Sequence, residues 1–148
     1  EQRQYMQDGL EFIADGLIEY YGAEKFLTGL ALGADTIWAE LALKYGIEYD
    51  VYIPFEGQEE RWSQADQKRY RELRSSASSE KAFGQQFSNR LYHARNDALI
   101  QDSDLLVAVW RPSVQKGGTF STVQKSLKKS HPTLLLDMDD FEVKWLRR

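Results

Sequence analysis

"FLTGLALGADTIWAE", residues 26–40, carries the reading of the fold. An apolar-to-small run ends at Thr28 and Gly29, and a second glycine stands at Gly33, followed by Ala34 and Asp35. From Asp35 to Tyr45 the apolar residues Ile37, Trp38, Leu41 and Ala42 recur at helical spacing, and Gly46 ends the pattern. This is a strand feeding a helix through a turn that holds two glycines. Packing alone does not require both. Glycine at 29 lets the backbone turn without a side-chain clash, and glycine at 33 permits close approach at the helix start. Exposed amides there, aided by the helix dipole, favour phosphate. A plain tight turn with Asp35 capping the helix accounts for the same residues, so the neighbouring segments have to decide.

Upstream, residues 5–21 set Met6, Leu10, Ile13 and Leu17 on one helical face, with Gly22 as the stop. Downstream, "IEYDVYIPF" reads as a strand centred on Val51 to Ile53 and ended by Pro54. Residues 56–84 are polar. "SQADQKRYRELR" reads as a solvated helix and "SSASSEKAFGQQ" has loop composition. A helical pattern returns from Ser88 to Gln101, and "LLVAVW" is an apolar run expected of a strand covered on both faces. "RPSVQKGG" reads as a loop, Thr119 to Ser130 as a helix, and "PTLLLDM" as a buried strand. The tail "FEVKWLRR" is too short to assign. Strand and helix therefore alternate, which predicts an α/β fold with a mainly parallel sheet and crossover helices. At 148 residues, 1–148 reads as a single domain.

Composition removes several function classes. There is no cysteine, so disulfides, thiolate zinc sites and cysteine nucleophiles are excluded. Two histidines, His93 and His131, give no basis for a histidine-rich metal site, and no metal is expected. The net charge of −4 gives nonspecific nucleic-acid binding no global electrostatic support. Lys68, Arg69, Arg71 and Arg74 form one basic helix, a pattern that ordinarily marks a solvated face. No apolar run approaches the roughly 20 residues of a spanning helix, and a cytoplasmic location is the expectation. A parallel sheet with a free edge makes a homodimer one expected assembly.

Three further segments sit where such a sheet places its ligands, beyond the carboxyl ends of its strands. In "KGGTFSTVQ", residues 116–124, Gly117 and Gly118 precede Thr119, whose hydroxyl is placed to cap the next helix. Its amides form a second anion cradle by the same argument. In "HARNDALIQDSD", Arg95 and Asn96 interrupt an amphipathic helix. Arginine holds phosphate bidentately where lysine does not, and an exposed salt bridge with Asp97 or Asp102 is the competing reading. In "PFEGQEERWSQAD", Trp62 offers an indole face for a base, with Gln58 and Glu59 beside it for a sugar or base edge. Packing of Trp62 onto the sheet explains it equally well.

"TGLALGAD", "IPFEGQEERW", "RNDALIQDSDLLVAVW" and "KGGT" occur in that order and together resemble the YpsA-type branch of the SLOG superfamily, named after the SMF/DprA and LOG proteins. The resemblance implies a Rossmann-like three-layer fold and a pocket for a nucleotide or nucleotide-derived ligand, such as ADP-ribose, NAD or a nucleotide sugar. It carries over Gly29, Gly33, Ala34 and Asp35, then Gln58, Glu59 and Trp62, then Arg95 and Asn96, then Gly117, Gly118 and Thr119. Two departures accompany it. Members of the branch begin with a central strand carrying a Gly-His-Arg type turn, and none precedes Gln4 here, so that strand is expected to lie outside this sequence or to come from another chain. The LOG enzymes follow their glycines with Thr and then a catalytic Glu, whereas Phe120 to Gln124 contain no carboxylate. The expectation therefore leans to a binding or sensing protein. The alternatives are a nucleoside or nucleotide N-glycosidase using Glu59 or Asp35, a DprA-like binder of single-stranded DNA, and an interaction domain with a vestigial pocket.

Overall fold

The computed structural model describes residues 1–148. Five helices alternate with six strands: α1 (Gln2–Tyr21), β1 (Lys25–Thr28), α2 (Ala34–Tyr45), β2 (Glu48–Ile53), α3 (Gln64–Ser75), β3 (Ser79–Ala82), α4 (Asn89–Asp102), β4 (Leu106–Trp110), α5 (Gly118–Lys128), β5 (Thr133–Asp137) and β6 (Glu142–Arg147). The 3.6-residue period of α1 buries Leu10, Ile13, Ala14 and Leu17. The helix ends at Gly22, whose amide returns to the Leu17 carbonyl. Helix α3 starts at Ser63, whose hydroxyl accepts from the Asp66 amide at 3.1 Å.

Two elements depart from the sequence reading. The stretch with loop composition contains β3, which pairs in parallel with β2 from Asp50↔Ser79 to Ile53↔Ala82. All four of its residues are exposed, so β3 is held by backbone pairing at a sheet edge and has no apolar alternation to announce it. The unassigned tail forms β6, antiparallel to β5. Val143 and Trp145 of β6 alternate with polar neighbours and pack onto the core.

The strands form two three-stranded sheets, β1-β2-β3 and β4-β5-β6, and not one continuous sheet. Helix α1 fixes their relative direction. Its start touches the turn between β5 and β6 through Tyr5 and Phe141, ring centroids 5.0 Å apart, and its end touches β6 through Tyr21 and Trp145 at 6.1 Å. Since α1 turns back directly into β1, strands β1, β4 and β5 all run the same way. The edges of β1 and β4 face each other, and neither has a strand paired to it. The gap also corrects the reading of β4. It was expected to be covered on both faces, yet only Ala108 is buried, because its inner edge has no neighbour.

Helices α1, α2 and α3 cover one face, and α4 and α5 the other, a three-layer α/β/α arrangement. Strand β5 displays the period-2 logic of a sheet covered on both sides. Leu134 and Leu136 join the main cluster with Leu10, Ile13 and Val51, while Leu135 packs with Ala108 and Val123 beneath α5. Each such aliphatic side chain contributes about 1.5–3 kcal/mol on full burial. The main core therefore lies on the α1–α2 face, and the layer under α5 is thinner.

Candidate functional site

The turn after β1 is built from its own polar side chains. Thr28 donates from Oγ1 to the Asp35 carbonyl at 2.9 Å and accepts from the Leu30 amide at 3.2 Å. Asp35 Oδ2 accepts from the Ala31 amide at 3.2 Å, and Thr36 Oγ1 donates to the Ala31 carbonyl at 2.9 Å. Gly33 precedes α2 with φ +91°, a conformation that L side chains rarely adopt, and no side chain caps the helix there. Asp35 thus braces the turn instead of capping α2.

The turn after β4 repeats this arrangement. Gly117 precedes α5 at φ +95°, again with no side-chain cap. Thr119 lies inside the first helical turn, so the expectation that it caps the helix is corrected. Gly117, Gly118 and Thr119 are all exposed. Two helix starts therefore present uncapped amides, and uncapped amides at the positive end of a helix dipole attract anions.

Both starts open onto one cavity of 1520 Å³. Its wall takes Ala31, Ala34 and Asp35 from the first turn and Gly117, Gly118 and Thr119 from the second. That volume exceeds the roughly 300–1,000 Å³ of an ordinary small-molecule pocket. The excess comes from the gap in the sheet, because the cavity runs along the whole length of β1 and β4, down to Glu24 and Asp104. Its lining includes both turns at the carboxyl ends of β1 and β4, which is where open α/β sheets bind ligands.

Arg95 has a different setting from either sequence reading. It is 5% exposed. Nη1 donates to the Gly29 carbonyl at 3.1 Å and the Tyr52 carbonyl at 3.3 Å, and Nε donates to Asn96 Oδ1 at 2.8 Å. The expected surface salt bridge is absent, since Asp97 pairs with Lys125 and Asp102 with Lys81. Gly29 is required by this packing. A Cβ built on it would stand 2.1 Å from Arg95 Nη1 and 3.0 Å from Asp35 Oδ2. Burial raises the Asp35 carboxyl above the usual carboxylate range, offset by the nearby Arg95 charge. Burial likewise lowers Arg95, against the pull of Asp35. Both residues also reach the cavity wall.

A family model described as "YspA SLOG family" matches residues 3–141. The chain belongs to this SLOG family. No curated protein matches it.

The SLOG-type site gathers some sequence candidates and leaves others behind the wall. Ala34, Asp35, Arg95, Asn96, Gly117, Gly118 and Thr119 line the cavity, while Gly29 and Gly33 shape the turn behind it. Gln58, Glu59 and Trp62 are not among the lining residues. Gln58 Nε2 donates to the Gly29 carbonyl at 3.0 Å, which fastens the β2–α3 loop to the turn. Trp62 stands edge-on to Tyr70, centroids 5.4 Å apart, and packs on the main core. Glu59 has one buried carboxylate oxygen, Oε1, with no hydrogen-bond partner.

Sequence reasoning reached Arg95 and Asn96 on the α4 side of this cavity but missed their neighbours. Asn89, Tyr92, Asn96 and Leu99 all line it from α4. Their spacing of three, four and three puts them on one helical face, a signal that an inward-facing polar stripe from Arg95 and Asn96 extends to. His93, read as a plain helical residue, also lies on the wall. No group of three or more His, Asp or Glu side chains is arranged to hold a metal ion.

Proposed function

We propose that this SLOG protein binds a nucleotide or nucleotide-derived ligand, of the ADP-ribose, NAD or nucleotide-sugar type, and acts as a binding or sensing module. One observation carries the reading: two glycine-led helix starts, separated by some 80 residues of sequence, open onto the same cavity. A phosphate or diphosphate at the mouth accepts amide hydrogens from Gly33–Asp35 on one side and Gly117–Thr119 on the other. Arg95 contributes charge from beneath. Its Nη1 holds two backbone carbonyls and its Nε holds Asn96, so it also fixes the shape of the turn.

Calorimetric titration against ADP-ribose, NAD and nucleoside mono- and diphosphates tests this reading. Saturable binding of at least one, weakened on inserting a side chain at Gly117, is the expected result. Silence across the panel refutes it.

Hydrolysis of an N-glycosidic bond is a second reading with one observation in its favour. Asp35, its carboxyl raised by burial, reaches the cavity wall, and a raised carboxylic acid is suited to protonating a leaving base. It predicts release of free base from a nucleoside monophosphate and loss of that release in Asp35→Asn. The single-stranded DNA reading loses ground, because Arg69 of the basic helix is paired with Glu40 and Glu72, and Arg74 with Glu56 and Glu80.

A further inference from the structure

Leu32 and Tyr92 both line the cavity wall. Leu32 is 49% exposed although it sits in a turn whose neighbours are tightly bound. Tyr92 faces the cavity from α4, and its ring is held from behind. Phe55 meets it edge-on at 5.4 Å, Phe87 at 6.3 Å, and Phe87 in turn meets Phe55 at 5.5 Å. Arg95 lies 5.9 Å from the Tyr92 ring centre. Phe55 is buried while Phe87 is 66% exposed, so the aromatic cluster runs from the interior to the surface. Asn89 and Asn96 flank Tyr92 on the same helical face. Asn96 accepts from Arg95 through its oxygen, which leaves its amide hydrogens for a ligand.

We propose that Tyr92 and Leu32 form the subsite for the planar base of the nucleotide, with Asn89 and Asn96 reading the edge of the ring. The inference rests on the nucleotide reading above and goes beyond it by assigning the base to the α4 wall, in place of the Trp62 face that the sequence suggested. A flat ring gains from stacking on an aromatic face whose own position is already fixed, because no rotamer has to be frozen on binding. Asparagine offers a donor and an acceptor in one plane, which suits the edge of a heteroaromatic base.

The test compares two probes on the full chain: ADP-ribose, and ribose 5-phosphate, which lacks the base. Tyr92→Leu keeps apolar bulk and removes the flat face. It is expected to weaken ADP-ribose by about five- to a hundredfold, the range of one lost base–aromatic stack, and to leave ribose 5-phosphate unchanged. Tyr92→Phe is expected to retain wild-type affinity for both. Leu32→Ala, at an exposed position that folding does not depend on, is expected to weaken ADP-ribose selectively in the same sense. Equal losses for the two probes, or no loss for either, overturn the subsite. If ribose 5-phosphate binds the wild type and ADP-ribose binds no tighter, the subsite fails while phosphate recognition stands. If neither binds, the subsite fails, and the nucleotide reading fails with it only where NAD and the nucleoside phosphates are silent too.

Discussion

Replacing Gly29 by alanine isolates the packing that shapes the site. Gly29 does not have a positive φ, so alanine brings no backbone strain. In an open turn of that kind the change stabilises by about 0.4–1 kcal/mol, through the unfolded chain. Here the added Cβ would stand 2.1 Å from Arg95 Nη1 and 2.7 Å from its Cζ. The guanidinium is the far end of a flexible side chain, but it is buried and tied to the Gly29 and Tyr52 carbonyls. Moving aside means giving up both bonds. A hydrogen bond from a charged donor contributes about 1.5–3 kcal/mol, so the net loss comes to about 2–5 kcal/mol after the unfolded-state gain. For a domain of this size that lowers Tm by roughly 5–15 °C.

Urea unfolding of Gly29→Ala, Arg95→Met and the double variant is the assay. Arg95→Met is destabilising alone, since it removes two hydrogen bonds to buried carbonyls. In its background the alanine has no guanidinium to displace and is expected to change stability by less than about 1 kcal/mol, a coupling of at least about 2 kcal/mol. A Gly29→Ala protein within about 0.5 kcal/mol of wild type, or strict additivity of the two changes, refutes the reasoning.

Other consequences follow from the same geometry. Gly117→Val forces a branched side chain into φ +95° and is expected to weaken ADP-ribose by about tenfold, at a strain cost of about 1–3 kcal/mol in stability, read by calorimetry and thermal unfolding. Burial holds the His131 imidazole below its ordinary value, against the charge of Asp104. The unfolded chain therefore takes up that proton first as pH falls, and stability is lost from about pH 6.5 downward until the folded-state value is passed. His131→Gln is expected to flatten this step in a Tm profile between about pH 7 and 5. A five-residue run of Val and Ile fused ahead of α1 through a short glycine turn is expected to enter the gap between β1 and β4. It would raise Tm by at least about 5 °C and slow hydrogen exchange along both edges, whereas the same extension with a central proline would do neither.

Much of the fold was legible because its signals are local. The period of α1, the stops at Gly22 and Gly46, and the doubly covered β5 are each written in a few consecutive residues. Strand β3 was not, because Ser79–Ala82 are exposed and polar and only pairing with β2 makes them a strand. The gap in the sheet was anticipated through resemblance, and no residue of the chain spells it out. At the site, the two glycine turns were readable as helix starts, and their convergence on one cavity needed the fold. Arg95 stood out as a polar residue inside an amphipathic helix, but its partners, the Gly29 and Tyr52 carbonyls, lie 66 and 43 residues away. The wall formed by Asn89 and Tyr92 was hidden for the opposite reason, since a polar stripe on a helix looks like a solvated face until a cavity is found beside it.

The convergence of the two turns on one anion is tested most directly by following backbone amides during an ADP-ribose titration in nitrogen-15 correlated NMR spectra. The account predicts that the Gly33, Ala34, Asp35, Gly117, Gly118 and Thr119 signals move together along a single saturation curve. Spectra unchanged at saturating ligand, or shifts confined to one turn while the other stays still, contradict it.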